Sequence, residues 1–176
     1  HALHSAPDVA TATAVSNNAG AFSVPELEQE NPFPPGWSHA QTARATWQDA
    51  GHAYPELPTG NGFCMLMRRQ VLAAVGLFDV AAFPQGYGEE NDFCQRASAR
   101  GWRHLIAGNV HVAHARSLSF GSDRRQALGQ AGMQVLRERW PNYESDVGRT
   151  LFSFPRRVLD LRLPVSQSSS PSRSPL

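Results

Sequence analysis

Three carboxylates fall within four residues at Glu89, Glu90 and Asp92, directly after Gly86-Tyr87-Gly88 and directly before an apolar pattern with helical spacing. Carboxylates crowded this closely raise the pKa of one of them. Phe93 and Ala97 are four apart and share a face, and Gly101 supplies a stop, so the spacing predicts a helix over about 89–100. The three acids then occupy its first turn, where the macrodipole and unpaired N–H groups favour negative charge. Glu89 and Asp92 lie on one face, Glu90 is rotated from them by roughly 100°, and Asp92 can pair with Arg96 at i, i+4. Simple helix capping and a functional acidic cluster both remain open. The run is denser than capping requires, and the glycines let backbone pass close to a ligand.

Several elements must position these groups. Val9 to Val15 alternates β-branched residues with alanines, as a strand covered on both faces does. Ser16-Asn17-Asn18-Ala19-Gly20 ends it with turn residues. Residues 21–37, with five prolines or glycines in Pro25, Pro32, Pro34, Pro35 and Gly36, form a long loop. Phe33 and Trp37 are its apolar anchors, read first as core pins and second as an aromatic platform for a sugar ring. A helix runs from Ser38, its N-cap, to about His52, with Ala40, Ala43 and Trp47 near its apolar face. Gly60 to Met67 reads as a buried strand whose two glycines allow a ligand or another backbone to approach, or mark a hairpin turn.

A short helix over 69–75 follows, and beyond the acidic cluster Trp102 to Ala115 reads as strand. His111 and His114, three apart, point to opposite faces of such a strand and do not ligate one metal together. A helix capped by Ser122 runs to about Trp140. The segment 150–163 reads as a weak amphipathic helix, and residues 164–176, rich in Ser and Pro, are expected to be disordered.

Composition narrows the class. With 176 residues, 41% hydrophobic and 18% charged, the chain is one globular domain's worth with a real core. A net charge of +1, carried by Arg with no Lys at all, gives no case for nucleic acid. Cys64 and Cys94 form no C-x-x-C and are expected to be reduced, buried thiols of a cytoplasmic protein. No apolar run approaches the ~20 residues of a membrane span, and the N-terminus has no basic-then-apolar leader. The opening His1-Ala2-Leu3-His4-Ser5, with no initiating Met, reads as a helix continuing from upstream, so a piece of a longer protein is expected.

The order of these pieces resembles the second half of a family-2 glycosyltransferase with a GT-A fold. The resemblance rests on Thr59-Gly60-Asn61-Gly62-Phe63-Cys64-Met65-Leu66-Met67-Arg68-Arg69, Val75-Gly76-Leu77-Phe78-Asp79, Gly86 to Ala97 around the acidic cluster, and Val110-His111-Val112-Ala113-His114 with Ser117 and Ser119. Pro7 to Ala10 and Ser16 to Gly20 fit upstream of them. The resemblance implies an α/β fold: a partial GT-A, Rossmann-like mixed sheet flanked by helices that lacks most of the nucleotide-binding half. Residues 1–145 would be the acceptor side, 146–163 an extension and 164–176 a tail.

It further implies inverting transfer from a nucleotide-sugar donor to a glycan or lipid-linked acceptor of cell-envelope polysaccharide, in the cytoplasm or at the inner membrane face. Glu90 matches the base, where many relatives carry Asp. Glu89 and Asp92 would bind acceptor hydroxyls or hold the loop, with Gly60, Asn61 and Gly62 also at the substrate. His114, rather than His111, would complete the site of a divalent cation (Mn or Mg) whose main ligands come from an Asp-x-Asp motif upstream. No such motif occurs in this chain, so donor affinity and activity of the chain alone are expected to be slight. The competing readings are a non-catalytic carbohydrate-binding module and a divalent-ion binder, the latter lacking the alternating oxygen ligands of a calcium loop. Peripheral membrane contact through 150–163 stands beside plain packing of that segment.

Overall fold

The computed structural model describes residues 1–115 and 122–163, with backbone alone for 122–126. Ser117, Ser119, the side chain of Ser122 and the tail 164–176 lie outside the described residues. The chain is α/β: a three-stranded mixed sheet of order β2-β1-β3, flanked by helices.

Strand β1, Val9–Ser16, is buried along its whole length, as its run of Ala, Val and Thr requires. It pairs antiparallel with β2, Met65–Met67, setting Thr11 opposite Met67 and Thr13 opposite Met65. On its other side it runs parallel to β3, Arg103–Val112, with Ala12 opposite Leu105 and Thr13 opposite Ile106. The register slips after Ala14, which faces Ala107, whereas Val15 faces His111. Gly108, Asn109 and Val110 are therefore bulged out, which re-aims the end of β3. Gly108 has no room for a side chain, since a Cβ there would lie 2.4 Å from Leu159.

The helices are α1 (His39–Ala50), α2 (Arg69–Val75), α3 (Glu89–Ser98), α4 (Ser122–Arg139), α5 (Tyr143–Leu151) and α6 (Phe154–Arg162). Ser38 caps α1 in a full capping box with Gln41. Its buried face, however, is Thr42, Thr46 and Ala50, while Trp47 is 63% exposed, which corrects the expected Ala40-Ala43-Trp47 face. The stripe that meets β3 is made of small residues, because a helix lying close on a sheet has no space for an indole. The long loop is likewise pinned by residues other than Trp37, which is exposed. Phe22 and Val24 enter the core beside Val15 and Ile106. Buried Asn31 accepts from Glu26 N–H at 3.0 Å and donates to the carbonyls of Glu26 at 2.9 Å and Gln29 at 3.1 Å.

Segment 143–163 holds two helices: α5, which no spacing in the sequence announced, and α6, which falls inside the expected helix over 150–163. Ser153 and Pro155 start α6, proline sitting where a helix's first amides have no partner anyway. Leu159 and Leu163 pack into the core beside Val15, Leu57 and Ile106, and the boundary read at residue 145 falls inside α5. Among the described residues no helix is long and apolar enough to cross a membrane.

Two histidines make the fold acid-sensitive. His104 Nδ1 meets the Thr11 hydroxyl at 2.8 Å, and its Nε2 donates to the Cys94 carbonyl at 2.9 Å, which ties α3 to the sheet. Burial pushes its pKa down to about 4, and burial beside His39 does the same to His111. A histidine depressed in the folded state binds its proton more readily in the unfolded chain. Stability is thus expected to fall as pH drops from about 6.5 toward 4, by up to about 3 kcal/mol for a fully buried histidine and less for the partly exposed His111. Urea midpoints across that range measure it, and a flat profile would show that neither ring is held neutral.

Candidate active site

Three loops converge beyond the carboxyl ends of the parallel pair β1 and β3, the position where open α/β sheets place ligands. They are Asn17-Asn18-Ala19 after β1, Gly60 to Cys64 before β2, and Ala113-His114 after β3. The Gly60–Cys64 stretch, expected as strand, is a loop, and only Met65–Met67 pairs. It hugs α3: a Cβ on Gly60 would lie 2.1 Å from Met65 Sδ and 3.4 Å from Cys94 Sγ. Cys94 is buried and Cys64 half-buried, both as free thiols, and burial drives the Cys94 thiol well up in pKa.

The turn into α3 uses backbone that side chains resist. Gly86 and Gly88 have φ of 84° and 142°, and Tyr87 between them has φ of 66°. A Cβ on Gly88 would strike the Phe83 ring at 2.6 Å. From α4, Gly132 presses against the same turn, where a Cβ would sit 1.7 Å from the Tyr87 carbonyl oxygen. The approach angle of α3, and with it the placement of its acids, is fixed by these contacts.

The three acids have different surroundings. Glu89 folds back on the turn before it, Oε2 accepting from the Gly88 N–H at 3.1 Å. Asp92 is 0% exposed and engaged on both oxygens, by Arg96 at 2.8 Å, Arg139 at 3.2 Å and the Trp140 indole N–H at 3.0 Å. Of the two roles left to it by the sequence, ligand contact and holding the turn, these bonds supply the second. Glu90 differs from both. It makes no ion pair among the described residues, and its Oε2 is sealed from solvent with no hydrogen-bond partner. Its other oxygen, Oε1, lies 4.0 Å from where a Cβ on Gly62 would stand. Burial, and next the negative charge of Glu89, raise the Glu90 pKa above the usual carboxylate range, while main-chain amides of Glu90, Gly62 and Gly88 pull it partly back.

The glycine loop joins Glu90 to the other side of the site. Phe63 stacks on His114 at 5.3 Å between ring centres. His114 receives the Asn17 side-chain oxygen on its main-chain N–H at 2.8 Å, and its Nδ1 donates to the Asn18 carbonyl at 2.7 Å. That bond fixes the tautomer and leaves Nε2 with its lone pair, the arrangement of a metal-binding imidazole. His114 therefore fits as one ligand of a divalent cation. Among the described residues no group of three His, Cys, Asp or Glu is placed to hold one. His111 points elsewhere, packed with Phe33 and His39 at ring separations of 6.1 and 5.5 Å. Asn61 braces the loops, its oxygen accepting from Phe63 N–H at 3.2 Å.

Two contributors were not anticipated from the sequence. Tyr143, at the start of α5, donates to the Thr59 hydroxyl at 3.3 Å, and Asn91 donates to the same oxygen at 2.6 Å. Burial raises the Tyr143 pKa to about 12, with negative charge at Glu90 a lesser cause. Asn91 could have been noticed, since it lies inside the acidic run. Tyr143 had no local signal, because only tertiary packing brings α5 to the glycine loop. An apolar cleft of about 600 Å³ opens from Gly62 and Phe63 across the sheet face, over Ala12, Ala14 and Ala107. Compared with known proteins, this chain matches no family model, no curated protein and no solved structure.

Proposed function

We propose that the chain is the acceptor side of an inverting, nucleotide-sugar-dependent glycosyltransferase of the family-2, GT-A type, with Glu90 as its general base. The observation that carries this reading is the Glu90 carboxylate: one oxygen sealed and unpartnered, its pKa raised, at the mouth of a glycine loop beyond the strand ends. A carboxylate meant only to hold the turn would sit like Glu89, bonded to the Gly88 N–H, or like Asp92, engaged on both oxygens. Holding one carboxylate oxygen out of water without a donor costs stability, and proton transfer is the chemistry that uses it.

In the reaction, an acceptor hydroxyl oxygen attacks the anomeric carbon of the donor sugar. The bond from that carbon to the diphosphate oxygen breaks, and its electron pair leaves with the nucleoside diphosphate. The hydroxyl proton passes to Glu90. A divalent cation, Mn or Mg, would supply Lewis-acid stabilisation of the diphosphate's charge, and His114 is the residue of this chain that would help to hold it. Glu89 and the Gly60-Asn61-Gly62 loop frame the acceptor, a glycan or lipid-linked chain of the cell envelope, and the reaction belongs on the cytoplasmic side. The donor's nucleotide is bound by polypeptide beyond this chain.

A carbohydrate-binding module without catalysis is the second reading, and the raised carboxylate weighs against it. The two separate on nucleotide-sugar turnover by the intact protein, since a binding module releases no nucleoside diphosphate. In the intact enzyme, His114→Ala is expected to raise the metal concentration for half-maximal activity by at least about tenfold with little change in acceptor affinity. An unchanged metal titration would remove His114 from the metal site.

A further inference from the structure

The two faces of α6 are built for different environments. Its inner face carries Arg156, fully buried, whose guanidinium pairs with Asp160 at 2.9 Å and donates to the carbonyls of Ala21 at 2.7 Å and Ser23 at 3.1 Å. Leu159 lies beside it in the core. These contacts clamp the helix to the loop that follows β1. The outer face carries Phe154, Arg157 and Leu161 at i, i+3 and i+7, which places them on one line along the helix. Phe154 is 79% exposed, Leu161 84%, and Phe152 in the preceding turn 67%. A packing helix has no reason to turn two phenylalanines and a leucine to water together.

Charge on this face has one sign. Arg157 and Arg162 are exposed and make no ion pair among the described residues. The neighbouring acids are already engaged: Asp160 by Arg156, Asp146 by Arg149, and Glu144 by Arg137. Exposed aromatic and aliphatic side chains flanked by unpaired arginines match the interface of an anionic bilayer, where the apolar groups enter the acyl boundary and the guanidiniums meet phosphate. We propose that α6 and the preceding turn at Phe152 form a peripheral docking face for an anionic lipid surface. The inference stands on this surface alone and does not depend on the glycosyltransferase reading.

Co-sedimentation of the full chain with vesicles tests it, using phosphatidylcholine alone and phosphatidylcholine mixed with phosphatidylglycerol. The expected result is binding to the mixed vesicles that added salt weakens. Phe154→Ser with Leu161→Ser should lower the binding constant at least about tenfold. Arg157→Gln and Arg162→Gln should each cost about fivefold on mixed vesicles. All four side chains are exposed, so unchanged far-ultraviolet circular dichroism is expected of every variant. Absence of sedimentation with mixed vesicles, or variants that bind as well as the parent, overturns the proposal. A concentration-dependent dimer that the Phe154/Leu161 variant abolishes, without vesicle binding, also overturns it and gives the face to a second copy of the chain.

Discussion

Glu90→Gln in the intact protein is expected to lower sugar transfer by about 10²–10⁴-fold while making the fold more, not less, resistant to urea at neutral pH. The two effects have one cause. Burial and the charge of Glu89 raise the Glu90 pKa, so the folded chain holds this proton more tightly than the unfolded chain does. Ionising Glu90 therefore works against folding. Its contribution falls as pH climbs from the unfolded value of 4.5 through the raised folded one, and stays lost above it. Glutamine has nearly the same shape but neither charge nor basicity. The variant should gain at neutral pH, and the gain should vanish below pH 4.5. A group kept at a cost to stability and needed for turnover is the usual mark of a working site. Turnover close to that of the parent would end the assignment of Glu90 as base. Loss of activity together with loss of stability would make it a structural residue.

Asp92→Ala should do the reverse, destabilising by about 2–4 kcal/mol and impairing activity only through the fold. Its carboxylate joins three side chains on two elements: Arg96 on its own helix, and Arg139 with Trp140 at the end of α4. Arg96 in turn donates to the carbonyls of Val75 and Leu77, and Arg139 pairs with Asp79 at 2.9 Å. Removing the acid leaves the Trp140 indole without this bond and takes one partner from each guanidinium. Arg96 and Arg139 are part-exposed and can recover water, which keeps the loss below that of a fully buried pair. Urea midpoints of Asp92→Ala and Asp92→Asn read this out. An unchanged midpoint combined with weakened acceptor binding would move Asp92 into the substrate site.

These two acids show what the sequence reveals and where it stops. The helix that carries them was legible from Phe93, Ala97 and Gly101, and so was the Asp92–Arg96 pair, because those relations are local. β1, α1, α2 and β3 were legible on the same footing. What separates Glu90 from Asp92 is decided by partners about 30 residues upstream at Gly62 and about 50 downstream at Arg139 and Trp140, and no spacing rule reports those. Trp47 was misplaced because periodicity favours a large apolar residue inward, whereas the room between α1 and β3 admits only threonine and alanine. The start of α6 is marked by Ser153 and Pro155, four residues inside the helix expected from 150, whereas α5 carries no such local signal.

Strand β2 has a second edge. β1 occupies one side of it, and among the described residues nothing pairs with the other, where Leu66 stands 62% exposed. A fourth strand laid there would be held by amides and carbonyls, with its register set by its side-chain pattern and by the turn leading into it. The loop it would adjoin is the one against Glu90. Any polypeptide that extends this sheet at β2 would therefore come to lie beside the glycine loop and Glu90.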